Sequence, residues 1–273
     1  NFKDYLNSKL YLFKKLLKKK AHVITDIEIP EYRKIKEISS RRKFYMSSLS
    51  NNKYGLKIIN HRYFENKQIV KIQYKGNYYK FETNLIGKIQ IKNMLMAMIA
   101  AEKSNLDFKK IVSVINKVSA VSGRLEKVGK LNNRSNIILD YAHTPEALKI
   151  CLSNLKEQFY DKKISIVFGC GGNRDCSKRD TMGKIASYYC DKIYLTDDNP
   201  RKESPKKIRS EIKKNINISK LTEIPNRSSA IEEAIKNLDT GEILVVAGKG
   251  HENVQDYGNK KIFFSDKRII LKN

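Results

Sequence analysis

No uninterrupted apolar stretch in the 273 residues approaches the roughly 20 that a membrane helix needs, so no spanning segment is expected. The opening residues, Asn1-Phe2-Lys3-Asp4-Tyr5, include neither an initiator Met nor an apolar export core. They read like the middle of a longer chain, entered inside a helix. Internal repeats and low-complexity linkers are also lacking. The four cysteines, Cys151, Cys170, Cys176 and Cys190, form no C-x-x-C pair and have no His at metal spacing. That argues against a zinc site and for reduced thiols in a cytoplasm.

Acidic residues are the minority: 29 Asp+Glu stand against 55 Lys+Arg, a net charge of +26. Such a charge attracts nucleic acid or acidic lipid without sequence preference. Yet the basic residues are scattered singly among Asn and Ile, and only Lys14-Lys15-Leu16-Leu17-Lys18-Lys19-Lys20 is a dense run. The plainer reading is a Lys-, Asn- and Ile-rich codon bias with solvated helix faces. A field that favours anionic nucleotide substrates comes second. A basic nucleic-acid-binding module would interleave aromatics with a basic stripe, and the fifteen tyrosines form no such pattern. Neither a specific nucleic acid nor a membrane is therefore expected as partner. With 40% apolar and 31% charged residues the chain is globular, long enough for one large or two ordinary domains.

Leu6, Leu10, Phe13 and Leu17 recur at helical spacing and predict an amphipathic helix over residues 3 to 18. From Ala21 to Phe81 short β-rich pieces follow, at 21–24, 55–59, 69–72 and 78–81, separated by turn signals at Asn51-Asn52 and Gly76-Asn77. Helices are predicted near 91–104 and 107–117. Beyond residue 118 the rhythm changes. Apolar strands at 137–140, 164–168, 192–196 and 242–247 alternate with helices near 144–158, 179–189, 205–215 and 227–237. That alternation predicts a doubly wound, mostly parallel sheet with its site at the carboxyl edge.

Four predicted strand ends finish in polar clusters. In Asp140-Tyr141-Ala142-His143-Thr144-Pro145, Thr144 can cap the next helix and Pro145 suits its first turn. Asp140 can accept from ribose hydroxyls or hold an Arg, although an isolated Asp and His are more often turn residues than ligands. Gly169-Cys170-Gly171-Gly172-Asn173-Arg174-Asp175 permits close ligand approach, with Arg174 able to clamp a carboxylate. An ordinary glycine turn is the alternative. In Thr196-Asp197-Asp198-Asn199-Pro200-Arg201 a rigid proline precedes an Arg poised toward the sheet edge. Gly248-Lys249-Gly250-His251-Glu252 resembles a phosphate loop by eye but lacks the G-x-x-x-x-G-K-[ST] spacing. Glu252 there can receive an ammonium group. Guanidinium groups for a carboxylate and a carboxylate for an ammonium are the complement of an amino acid.

These clusters, together with Gly123-Arg124-Leu125-Glu126, closely resemble in content and order the motifs of the Mur ligase family. The Asp198-Asn199-Pro200-Arg201 signature resembles the branch that adds meso-diaminopimelate. Tyr5-Leu6-Asn7-Ser8-Lys9-Leu10-Tyr11-Leu12-Phe13 is similar to the stretch carrying that family's carbamylated lysine, which puts a magnesium-orienting role on Lys9. Leu85 to Asn93 is similar to the segment ending in a nucleotide-contacting Asn, here Asn93. Gln90 stands where the pattern usually has Asn.

The resemblance implies two domains: residues 1–118, the remnant of an α/β central ATPase domain, and 119–273, a Rossmann-like amino-acid-binding domain. It implies ATP and magnesium as cofactors, with Asn93, Arg124, Asp140 and His143 at the nucleotide. It implies meso-diaminopimelate held by Arg174, Asp198, Asn199, Arg201, Gly248 and Glu252, and a UDP-N-acetylmuramoyl-dipeptide as co-substrate. The implied reaction is an amide ligation through an acyl phosphate, carried out by a cytoplasmic monomer. The family's uridine-nucleotide domain and Gly-rich phosphate loop have no counterpart in these 273 residues. The expectation is therefore that this chain alone does not turn over, with a non-catalytic remnant as the other possibility.

Overall fold

The computed structural model describes residues 2–18, 21–40, 43–48, 55–64, 66–131 and 133–273. It divides into two compact units, Asn1–Ser119 and Ala120–Asn273. The Asn51-Asn52 turn lies outside the described residues.

The first unit opens with α1 (Phe2–Tyr11), which continues into a π-helical turn, Leu12–Leu16. Leu10 is buried with Val23 and Ile35, and Leu6, Phe13 and Leu17 pack against that cluster. The apolar stripe is thus the one predicted, though the last turn is π rather than α. Then come β1 (His22–Asp26), α2 (Tyr32–Ile38), β2 (Lys43–Ser48), β3 (Leu56–Phe64), β4 (Lys67–Tyr74) and β5 (Asn77–Thr83), followed by α3 (Lys88–Lys103) and α4 (Phe108–Ser113). The order β1-β2-β3-β4-β5 makes one sheet, parallel across β1, β2 and β3 and antiparallel from there on.

Sequence periodicity missed α2 and β2. The hairpin between β4 and β5 turns at Lys75 and Gly76, both at positive φ, as a type I′ turn requires. Along β4 the residues Gln68, Val70, Ile72 and Tyr74 are buried in strict alternation. Ile91, Met94, Leu95, Met98 and Ile99 bury one face of α3 at spacings of three and four.

The second unit contains β6 (Glu126–Lys130), β7 (Asn136–Asp140), α5 (Pro145–Gln158), β8 (Ile164–Phe168), α6 (Lys178–Tyr189), β9 (Lys192–Leu195), α7 (Pro205–Lys213), β10 (Leu221–Glu223), α8 (Arg227–Lys236), β11 (Ile243–Ala247), β12 (Val254–Asp256), β13 (Lys261–Phe263) and α9 (Asp266–Lys272). Its sheet runs β10-β9-β8-β11-β7-β6, parallel except where β6 meets β7. Every residue of β7, β8 and β11 is buried, as a parallel sheet covered on both faces demands. Because β9, β8, β11 and β7 are neighbours, the four polar clusters that follow them emerge side by side at one edge.

Candidate functional site

At that edge a cleft of ≈ 410 Å³ has formed. Its lining includes every residue that the family resemblance assigned to the amino acid: Arg174, Asp198, Asn199, Arg201, Gly248 and Glu252. His143 lines it too. Thr144 caps α5 by accepting from the Ala147 amide at 3.3 Å, with Pro145 in the first turn, which fixes where the His143 segment leaves the sheet.

The cleft is held by polar bonds between loops. Lys249 is fully buried, and its ammonium donates to Asn199 Oδ1 at 3.0 Å, Glu252 Oε2 at 3.2 Å and the Val254 carbonyl at 2.6 Å. All three of its protons are thereby used. This is the physical reason that Gly-Lys-Gly here is no phosphate loop: the lysine is a strut inside the wall. Asn199 in turn donates to Glu252 Oε2 at 3.1 Å and accepts from the Asp256 amide at 3.0 Å. Glu252 keeps about a third of its side chain exposed, at 34%.

Arg201 is the one non-glycine residue of its loop at positive φ (54°). Its NH1 donates to the Gly172 carbonyl at 2.9 Å and the Asn199 carbonyl at 3.4 Å, and Nε lies 3.8 Å from Asp256. Much of its guanidinium therefore knits the loops together. Arg174 differs: it is exposed on the rim and has no hydrogen-bond or ion-pair partner among the described residues. Gly172 must be glycine, because a Cβ there would lie 2.0 Å from the Pro200 carbonyl oxygen.

Asp198 is buried, and burial pushes its carboxyl above the usual aspartate value, opposed by the charges of Arg227 and Lys249. Beneath it Arg227 and Asp266, both completely buried, pair through two bonds of 2.7 Å.

Beside the cleft lies a second constellation. Asp140 Oδ2 accepts from the Leu125 amide at 2.8 Å and Oδ1 from the Ala142 amide at 2.9 Å. Burial raises its pKa, and those two amides and Arg124 oppose the rise. Asp140 thus pins the Arg124 loop to the end of β7. Gly123 in that loop sits on the last cluster, where a Cβ would meet the His251 nitrogen at 2.4 Å. The Arg124 guanidinium lies 4.4 Å over the ring of Tyr141, which also packs edge-on to His143 at 4.6 Å and against His251 at 5.6 Å. Tyr141 and His251 were not singled out from the sequence. Each stands inside a strand-end cluster, Tyr141 after β7 and His251 after β11, and that position was the available signal.

Lys9 and Asn93 belong to the first unit. Lys9 is exposed on α1 with its ammonium 5.4 Å from the Tyr5 ring centroid. Asn93 is exposed on α3 and donates to Gln90 Oε1 at 3.5 Å. Among the described residues no group of three or more His, Cys, Asp or Glu is placed to hold a metal ion. Lys9 by itself does not make a magnesium site. The Arg124 guanidinium over Tyr141 makes a cation–π pair, with the His143 ring standing edge-on beside it.

The chain matches the Mur ligase middle domain over residues 1–101 and the glutamate ligase domain of Mur ligases over 123–250. A Rickettsia bellii (strain RML369-C) protein named UDP-N-acetylmuramoyl-L-alanyl-D-glutamate–2,6-diaminopimelate ligase is 41% identical over 267 residues, 97% of this chain and 55% of that protein. A protein of the same name from Buchnera aphidicola subsp. Baizongia pistaciae (strain Bp) is 44% identical over 191 residues, 70% of this chain and 37% of its own length. The chain spans about half the length of the curated relatives it matches. A solved structure of a ligase of that name superposes with a TM-score of 0.67 at 28% identity, over 100% of this chain and 56% of that one. The MurF ligase of Thermotoga maritima, solved with ADP, gives 0.70 at 14% identity over 100% and 57%, a likeness of fold alone. With two of the family's domains matched in order along most of its length, this chain belongs to the Mur ligase family.

Proposed function

We propose that this chain provides the amino-acid pocket and part of the nucleotide surface of an ATP-dependent ligase that joins meso-diaminopimelate to UDP-N-acetylmuramoyl-L-alanyl-D-glutamate. The observation that carries this reading is the cleft that gathers Arg174, Asp198, Asn199, Arg201, Gly248 and Glu252. It presents cations (Arg174, Lys178, Arg201) and carboxylates (Asp175, Asp198, Glu252) together, the complement of a ligand carrying both charges. Arg174 and the unbonded edge of Arg201 receive a carboxylate, and Glu252 receives an ammonium group.

In the reaction the γ-phosphoryl group of ATP passes to the D-glutamate side-chain carboxylate as the bond to the β-phosphate breaks. The diaminopimelate amine then adds to the acyl carbon, phosphate leaves, and the nitrogen loses a proton. The residues present contribute positioning: the cleft orients the amine, and Arg124 over Tyr141, with His143 at its edge, offers a stacking surface to the base. Magnesium, which the family uses with ATP, supplies charge stabilisation at the phosphoryl oxygens when bound. Lys9, as a carbamate, and Asn93 are assigned to the nucleotide side on family likeness.

Calorimetric titration of the chain with meso-diaminopimelate tests the reading. Saturable binding at one site per chain is expected; an absence of binding by a folded chain would overturn it.

A further inference from the structure

We propose that Arg179 and Glu203 form a positioning clamp that sets the shape of the amino-acid cleft without touching its ligand. The inference rests on the proposed function for the identity of the ligand but not for the clamp itself.

Two loops make most of the cleft: residues 169–175 after β8 and 196–204 after β9. Both are irregular, and Asn173 and Arg201 in them stand at positive φ. The second loop is anchored from outside the pair, with the Arg201 amide donating to the Asp256 carbonyl at 2.9 Å and the Asp197 amide to the Pro225 carbonyl at 3.2 Å, so the first loop takes its geometry largely from bonds to the second. Three of those bonds join them directly. The Gly172 amide donates to the Asn199 carbonyl at 2.9 Å, Arg201 NH1 donates to the Gly172 carbonyl at 2.9 Å, and the Lys202 amide donates to Asn173 Oδ1 at 2.9 Å.

Glu203 makes the fourth link, and Arg179 holds Glu203. The Arg179 guanidinium, only 1% exposed on α6, donates through NH1 to Glu203 Oε1 and through NH2 to Glu203 Oε2, both at 2.7 Å. Such a two-bond fork fixes the carboxylate plane as well as its position. Glu203 Oε2 then accepts from the Asn173 amide at 3.1 Å, directly beside Arg174. Arg179 NH2 also reaches the Gly171 carbonyl at 3.4 Å, and NH1 reaches Glu211 Oε2 on α7 at 2.6 Å. One buried guanidinium therefore ties both cleft loops to the rigid α6–α7 pair. Arg179 and Glu203 are absent from the cleft lining, so they act through Arg174 and Arg201. The pair holds the two guanidinium groups that are to receive the ligand carboxylate at a fixed separation.

Glu203→Gln is the informative change. The carboxylate uses both oxygens, whereas the amide has one acceptor, so the two-bond fork is broken in either orientation, and in one of them the Asn173 bond is lost with it, at nearly constant volume. Glu211→Gln is the control, since Glu211 bonds Arg179 but neither cleft loop.

Two measurements on the full chain follow. Amide hydrogen exchange at Gly172, Asn173 and Lys202 is expected to accelerate at least about tenfold in E203Q and less than about twofold in E211Q, with β8 amides unchanged in both. Calorimetry is expected to give meso-diaminopimelate binding about tenfold or more weaker in E203Q, at full stoichiometry, and within about twofold of the parent in E211Q.

Unchanged exchange in E203Q overturns the clamp whether or not the ligand binds. So does equal weakening by E203Q and E211Q, which would mark a general loss of charge balance around Arg179. A reduced stoichiometry at constant affinity would mean lost folded protein rather than a reshaped pocket, and also overturns it. If the parent chain fails to bind meso-diaminopimelate while E203Q still loosens the loops, the proposed substrate is wrong and the clamp stands.

Discussion

The ammonium of Lys249, wholly buried, donates to Asn199 Oδ1 at 3.0 Å across fifty residues of sequence. This bond joins the end of β11 to the end of β9. With Glu252 and Val254 as its other acceptors, Lys249 has no proton left for a ligand.

Lys249→Met should therefore behave as a stability variant. It removes a buried cation and leaves Asn199 and Glu252 without their shared donor. The expected loss is about 3 kcal/mol or more, read as a lower urea midpoint with an unchanged slope. Full stability with loss of nucleotide binding alone would instead make Lys249 a phosphate ligand.

The two arginines of the cleft should separate in the same way. Arg174 has no partner among the described residues, so Arg174→Ala is expected to weaken meso-diaminopimelate binding about tenfold or more, the ~1.5–3 kcal/mol of a charge-assisted bond. Its melting temperature should not change. Arg201 also bonds the Gly172 and Asn199 carbonyls, so Arg201→Ala should lower both affinity and melting temperature. Thermal melts paired with calorimetry distinguish the two.

The Arg227–Asp266 pair ties α8 to α9 in the core, and Arg227 also donates to the Ala247 carbonyl at the end of β11. Asp266→Ala leaves Arg227 charged, buried and half-bonded beneath Asp198. A loss of roughly 3–5 kcal/mol is expected by chemical denaturation. A change below about 1 kcal/mol would contradict the structural role given to this pair.

Acid should reveal the clamp. The Arg179 guanidinium holds the Glu203 carboxyl down at about 2, from an ordinary 4.5, against a smaller opposing effect of burial. A depressed carboxylate stabilises the fold fully above its unfolded value, and that contribution disappears as pH falls through the folded value. The stability advantage of the parent over E203Q should thus be constant above pH 4.5 and shrink toward pH 2. Urea midpoints at a series of pH values measure it; an advantage independent of pH across that window would contradict the pairing.

Much of this could be read from the sequence because the second unit writes its sheet in short, wholly apolar strands. Ile164–Phe168 and Ile243–Ala247 are buried at every position, and a polar cluster begins immediately after each. Elements without such a signal were missed: β10 and the β12–β13 hairpin have three residues per strand, and α2 and α9 have seven each. The named cleft residues were visible through motif likeness. The scaffold behind them was not, since Arg179 with Glu203, Arg227 with Asp266 and Lys249 with Asn199 are separated by 24, 39 and 50 residues. Nothing local in the sequence distinguishes such a buried, paired charge from a solvated one. At Asp140 the sequence offers an acceptor for ribose or a partner for an Arg, and the fold adds a backbone amide to each of its oxygens.

The cleft is proposed to recognise an amino acid with an ammonium–carboxylate pair at each end. Calorimetric titration with meso-diaminopimelate and with L-lysine, which lacks the second carboxylate, tests it most directly. The arginines at the cleft predict binding at least about tenfold tighter for meso-diaminopimelate. Equal affinity for the two would contradict the account.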